Sequence, residues 1–406
     1  MTSNGAFGRR RHDWRNFRNG QVRIFADQIE KAVESLFLKR QFVPLLVGVL
    51  AYCAAGHAVA QTQLKEVFKN RFLIGAALNE AEFSGTDQVG SLLAKTQFNS
   101  ITPENVLKWE VVHPKPGDYN FAPSDRYVEF GEKNGMVIIG HTLVWHNQTP
   151  SWVFQDSTGK PISRGALLER MRDHIHTVVG RYKGKIKGWD VVNEALNEDG
   201  SLRETPWLKI IGEDYIVKAF EFAREADPGV ELYYNDYSLE NAPKREGAVA
   251  LIKKLQAANV NVAAVGLQGH YKMDWPSAAQ VDTTIEAFAK LGVKVNITEL
   301  DIDVVPATQV NRGADLSVNN YHVTREDVYA NGLPDSVQTQ LAKRYSDLFS
   351  VFLKHFGIVG RVTFWGVTDG DSWLNVRGRV NYPLLFDRNG TPKPAYDAVV
   401  NAARKQ

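Results

Sequence analysis

Cysteine is all but missing: among 406 residues only Cys53 is one, and it lies in an apolar stretch near the front. A single thiol makes no internal disulfide and no Cys-ligated zinc site, and once that stretch is removed no thiol nucleophile is left either. An excess of one charge is missing too, with 48 Lys and Arg against 46 Asp and Glu. A formal charge of +2 gives no basis for holding a polyanion, so no nucleic-acid partner is expected. No Gly-rich phosphate loop opens a strand-helix unit; residues 180–185 have too short a glycine spacing and no Ser or Thr after a Gly-Lys pair. His141 and His146 stand five apart with no third ligand at matching spacing, so no catalytic metal is expected. Ser100, Ser151 and Ser372 lack a Gly-x-Ser-x-Gly elbow, which argues against a serine-triad hydrolase.

The near-neutral total hides two unlike parts. Residues 1–60 carry nine Lys or Arg against four Asp or Glu, a net of +5, which leaves −3 for the rest. Lys39 and Arg40 precede an apolar run, 42–55, and then Ala58-Val59-Ala60. Basic, apolar and small residues in that order make a secretory signal peptide, with cleavage expected after Ala60. Residues 1–38 are polar and Arg-rich and make the leader longer than usual, so translation is expected to start downstream of Met1. An uncleaved anchor is the alternative, since 42–60 just reaches the length of a bilayer span, but Pro44, Gly48 and His57 count against it. Bulky Tyr52 before Cys53 argues against lipidation. The mature chain, 61–406, is expected to be secreted, extracellular or periplasmic, as a monomer without stable membrane association.

From residue 61 onward short β-rich runs alternate with stretches of helical periodicity, the pattern of parallel α/β architecture. Eight strands are expected at 72–77, 98–101, 136–142, 186–192, 231–235, 264–268, 293–300 and 361–365. The clearest helices between them are 167–182, 215–226, 245–258, 281–291 and 337–356. Eight such units without a phosphate loop favour a closed barrel over a doubly wound sheet. The fold class is therefore α/β, a single (β/α)8 TIM barrel preceded by a targeting segment, with one long irregular insertion at 303–334.

In such barrels the active site sits at the C-terminal ends of the strands, and reactive residues collect there. Glu104, Asn105 and Lys108 follow the second strand; His141 and Trp145 lie at the end of the third. Asn193 and Glu194 end the fourth, Asn235-Asp236-Tyr237 the fifth, and Gln268 and His270 the sixth. Glu299 and Asp301 close the seventh; Trp365 and Trp373 lie on and after the eighth. Glu194 and Glu299 each end an apolar run and should face one another across the mouth. Two carboxyls so placed suit retaining glycoside hydrolysis, one donating a proton to the leaving oxygen and one attacking the anomeric carbon. Asp301, two residues past Glu299, projects from the same side of its strand, and His270 could bridge the two. A histidine so held would keep Glu299 ionised as nucleophile, which leaves Glu194 as the acid. Trp145, Trp365 and Trp373 offer flat faces to sugar rings, whereas Trp152 and Trp189 read as core.

Trp189-Asp190-Val191-Val192-Asn193-Glu194-Ala195 and Ile297-Thr298-Glu299-Leu300-Asp301 carry a resemblance. So do Gly140 to His146, Tyr233 to Tyr237, Gly266 to Tyr271 and Thr363 to Gly366, all in family order. The chain resembles the family 10 glycoside hydrolases, barrel-type endo-β-1,4-xylanases, across essentially all of 61–406. The resemblance implies Glu194 as acid/base and Glu299 as nucleophile, no cofactor, and internal cleavage of xylan with retention. It also implies that Glu104, Asn105, Lys108, His141, Trp145, Asn193, Gln268, His270, Trp365 and Trp373 line the sugar sites nearest the cleaved bond, with Tyr237 on the leaving-group side. A related retaining β-glucanase or cellulase would keep both glutamates and differ in aromatics and loops. A non-catalytic sugar-binding barrel would be expected to lose one carboxylate, and neither is lost.

Overall fold

The computed structural model describes residues 62–306, 328–375 and 379–405. The leader with its expected cleavage after Ala60, and most of the 303–334 insertion, lie outside them. The strands are β1 (Leu73–Leu78), β2 (Ser100–Pro103), β3 (Val137–Val144), β4 (Gly188–Asn193), β5 (Glu231–Asp236), β6 (Ala264–Leu267), β7 (His270–Lys272), β8 (Lys294–Asp303) and β9 (Val359–Phe364). All pairings are parallel, in the order β6-β5-β4-β3-β2-β1-β9-β8, and β6 pairs with β8 to close the ring. Eight strands thus make the closed barrel that the alternation predicts.

Two details differ from the expected pattern. The short β7 is a ninth strand that pairs only with the end of β8, His270 opposite Asp301 and Lys272 opposite Asp303. Gly269, at φ +83°, lets the chain turn after Gln268 and resume in this position. For the same reason β8 runs on to Asp303 rather than stopping at 300. Its last aspartates look like loop residues in sequence, yet Lys272 Nζ meets Asp303 Oδ2 at 2.6 Å.

The strands are buried on both faces, helices outside and packed side chains within, so they are nearly continuous apolar runs rather than alternating ones. All six residues of β4 are buried. Trp189 lies against Gly140 of β3 so closely that a Cβ at 140 would come within 2.1 Å of its ring. Outside, the helix Asp335–Lys354 buries Leu341, Tyr345, Leu348, Phe349 and Phe352, a three- and four-residue repeat. Ser163 caps Arg164–Arg181, and Ser277 with Gln280 forms a capping box on Ala278–Ala289. The last helix, Pro394–Arg404, returns to the start, where the Tyr396 hydroxyl donates to the Thr62 carbonyl. Among the described residues no helix is long and apolar enough to cross a membrane.

Candidate active site

Glu194 follows β4 and Glu299 lies within β8; going round the ring, two strands separate β4 from β8 on one side and four on the other. The chain leaves β4 abruptly. Glu194 takes a left-handed φ of +59°, which costs a non-glycine residue about 1 kcal/mol, and its N–H is anchored to the Asn235 carbonyl at 2.9 Å. Local strain of this kind collects where a side chain must be aimed.

Both carboxyls are buried and tied into one polar network. Glu194 Oε2 accepts from Trp145 Nε1 at 2.8 Å; its Oε1 accepts from Gln268 Nε2 at 3.0 Å and from Asn193 Nδ2 at 3.2 Å. Glu299 Oε1 accepts from Asn235 Nδ2 at 2.8 Å, and the same amide reaches Asn193 Oδ1 at 2.8 Å. Thr298 Oγ1 orients Asn235 from behind, donating to its Oδ1 at 2.6 Å. Two asparagine amides therefore link the two glutamates.

The environments drive the two carboxyls apart. Burial pushes Glu194 up to about 7, with the charges of Asp236 and Glu299 adding to it and the bonds from Gln268 and Trp145 opposing. Burial would raise Glu299 as well. The hydrogen bond from His270, the fields of His141 and His270 and the Asn235 amide outweigh it, and Glu299 is held below the ordinary carboxylate value.

His270 is the source of that difference. Its Nε2 lies 3.1 Å from Glu299 Oε2 and its Nδ1 3.1 Å from Asp301 Oδ1, the second contact being electrostatic rather than a well-aligned hydrogen bond. Burial alone would lower the imidazole, but Asp301 and Glu299 prevail and hold it up at about 10, so it is a cation at neutral pH. Asp301 also accepts from Trp373 Nε1 at 2.6 Å, which fixes that indole beside His270 with ring centroids 4.9 Å apart. Trp365 meets both His141 and His270 edge-on, at 5.5 and 6.2 Å.

On the β2 side Lys108 Nζ donates to Asn105 Oδ1 at 3.1 Å and sits 5.1 Å from the centre of the Trp145 ring. Burial pulls the ammonium down from its ordinary value, against the attraction of Glu299, Glu104 and Glu194. Half-buried Glu104 is pushed up to about 7 by loss of solvent, with Lys108 opposing and Asp371 adding. Asn105 is exposed at the rim. Tyr237 lies beyond β5, with Lys244 Nζ 3.4 Å from its ring centre and Arg203 donating to its hydroxyl at 2.5 Å. Trp189 is core, as expected; half-buried Trp152 packs edge-on to Trp109 at 6.4 Å.

Thus Glu194, Glu299, His270, Asp301, Asn193, Gln268 and Trp145 interlock directly, with Lys108, Glu104 and Asn105 joined to them on one side and Trp365, Trp373 and His141 on another. Sequence reasoning finds Asp301 beside His270 but misses other supporting residues. It selects Tyr237 from the polar end of β5 and passes over Asn235, which bonds Glu299; the strand-end rule that finds Glu194 applies equally there. Asp190, whose Oδ2 lies 2.9 Å from His141 Nδ1, and Lys244, fully buried and 3.1 Å from Asp236 Oδ1, give no local signal of their role.

The family model for glycosyl hydrolase family 10 matches residues 63–402. A β-1,4-xylanase of Dictyoglomus thermophilum is 46% identical over 342 residues, covering 83% of this chain and 90% of the relative. Endo-1,4-β-xylanase A of Xylanibacter ruminicola is 41% identical over 364 residues, 89% of this chain and 99% of its own length. Among solved structures, a GH10 endoxylanase retrieved from a sugarcane soil metagenome superposes with a TM-score of 0.78 at 44% identity, covering 84% of this chain and all of that one. The chain belongs to glycosyl hydrolase family 10.

Proposed function

We propose that the chain is a secreted, monomeric endo-1,4-β-xylanase that cleaves internal β-1,4-xylosidic bonds with retention, Glu299 acting as nucleophile and Glu194 as acid/base. The observation that carries the assignment is the opposite tuning of two bonded carboxyls, Glu299 held ionised by His270 and Asn235 and Glu194 left protonated up to about pH 7. Glu194 gives its proton to the glycosidic oxygen while a Glu299 oxygen bonds to the anomeric carbon and the C–O bond to the leaving chain breaks. Glu194, now a carboxylate, then takes a proton from water; that water attacks the same carbon and frees Glu299, and two inversions return the original configuration. Glu104, Asn105, Lys108, His141, Asn193 and Gln268 supply hydrogen bonds to hydroxyls, Trp145, Trp365 and Trp373 flat faces, and Tyr237 contacts on the leaving-group side.

The substrate reading rests on relatives that are named xylanases, and it is tested by the chain lengths of products from xylan, carboxymethyl cellulose and mixed-linkage glucan. Short xylo-oligosaccharides from xylan alone are expected. Products chiefly from the glucans would keep the two-carboxyl chemistry and overturn the substrate, and none from any of the three would overturn the enzyme. Secretion is tested by the N-terminus of exported protein, expected at Gln61.

The pH dependence of kcat/KM should be bell-shaped. Activity rises as Glu299 ionises, below the ordinary carboxylate value, and falls near pH 7 as Glu194 loses its proton. His270→Asn removes the cation beside Glu299, so the nucleophile's pKa should rise and the acid limb move up by about one pH unit or more, the usual effect of losing a close opposite charge. A pH-rate profile reads this directly, and an unmoved acid limb would show that His270 does not hold Glu299 ionised.

A further inference from the structure

Three carboxylates outside the catalytic network stand close together without a cation. Glu82, in the short helix Glu80–Ser84 after β1, Asp87, at the start of the helix Gln88–Gln97, and Asp371, in the loop after β9, each offer an oxygen within 4.8 Å of the other two. Glu82 is fully buried. Its Oε2 accepts from the Asn79 N–H at 2.7 Å, while its Oε1 is buried with no hydrogen-bond partner at all. A buried carboxylate oxygen with nothing to bond is costly, and two like charges beside it make it costlier.

Among the described residues no Lys, Arg or His forms an ion pair with any of the three. Arg388, whose charge bears on Asp371, spends its guanidinium on the Asp369 carbonyl, Asn375 Oδ1 and the Asn381 carbonyl. Asp87 caps its helix, accepting from the Val89 and Gly90 N–H groups, and Asp371 Oδ2 accepts from Thr368 Oγ1 at 3.1 Å; each keeps lone pairs to spare. Asp371 is exposed, which leaves a way in from solvent. The other carboxylate-histidine group, Asp282, Glu286 and His355, differs in this respect, because Lys354 already meets Asp282 at 2.7 Å.

We propose that Glu82, Asp87 and Asp371 bind a divalent cation, calcium by the nature of its all-oxygen ligands. Calcium takes oxygens at about 2.3–2.6 Å, so two ligands of one ion stand no more than about 5 Å apart, which the cluster satisfies. Six to eight ligands are usual, and water completes the set through the open Asp371 side. The ion would tie the segment after β1 to the loop after β9, next to Glu104. It takes no part in bond cleavage, and its binding is measured without reference to activity.

The test is titration of the full chain, stripped with a chelator, with CaCl2 at constant ionic strength, followed by calorimetry and by thermal unfolding. One saturable site and a rise in Tm are expected, with Asp371→Asn and Glu82→Gln each weakening binding by about tenfold or more, as loss of one charged ligand does. Asp371 is exposed in a loop, so its variant decides the matter even if the Glu82 variant does not fold. No saturable heat or Tm shift in the unaltered chain, or unchanged affinity in Asp371→Asn, would overturn the site and leave Glu82 as a neutral carboxylic acid.

Discussion

Glu299→Ala is expected to lower kcat on xylan, and on aryl xylosides alike, by on the order of 10⁴-fold or more, the scale of losing a covalent nucleophile. In the proposed mechanism both substrate types must form the bond to Glu299, so an activated leaving group gives no rescue. The substitution takes from Asn235 Nδ2 one of its two acceptors, leaving Asn193 Oδ1, and leaves His270 Nε2 without Glu299, at a cost of about 1–3 kcal/mol each, which a closed barrel of this size withstands. Glu299→Gln separates the two effects: it keeps an acceptor for Asn235 and removes the nucleophile, so it should fold at least as well and remain as inactive. Steady-state kinetics on the two substrate types, with circular dichroism for the fold, reads the outcome. Near-normal turnover by either variant would remove Glu299 from the role.

Glu194→Ala should split substrates by leaving group. Release of a sugar hydroxyl needs a proton, and loss of a general acid costs about 10²–10⁴-fold; release of an activated phenolate does not need one. Xylan turnover should therefore collapse, while an activated aryl xyloside gives a burst of phenolate close to the normal first-step rate. The burst then slows, because the carboxylate that activates water is also gone and the glycosyl-enzyme accumulates. Equal losses on both substrates, with no burst, would take Glu194 out of acid catalysis. The Trp145 indole and the Gln268 amide lose an acceptor in this variant, so folding is again checked in parallel.

Much of this is legible in the sequence because barrel chemistry is positional. Glu194 follows Val191-Val192-Asn193 and Glu299 follows Val295-Asn296-Ile297-Thr298, and a glutamate at such a strand end reaches the mouth. The two-residue step from Glu299 to Asp301 puts both carboxylates on one side of β8, and the structure brings His270 to 3.1 Å from each. The less visible features depend on partners far away in the chain. Asn235 reads as one polar residue among three at a strand end until the network joins it to Glu299. Lys244 reads as a solvated helix residue, yet its side chain is fully buried between Asp236 and Glu198. The extension of β8 to Asp303 depends on β7, whose three residues are too few for any periodicity. Glu82 and Asp371 are brought together only by closure of β1 against β9, which no local pattern announces.

The most direct measurement is mass spectrometry of the protein after reaction with a 2-deoxy-2-fluoro xylobioside bearing a good leaving group. Fluorine at C2 destabilises both oxocarbenium-like transition states, and the activated leaving group lets the first step proceed, so the covalent intermediate persists. The account predicts one added xylobiosyl unit per chain, on the peptide that contains Glu299, formed also by Glu194→Ala and absent in Glu299→Gln. A label on any other residue, or none while the same chain still cleaves xylan, would contradict it.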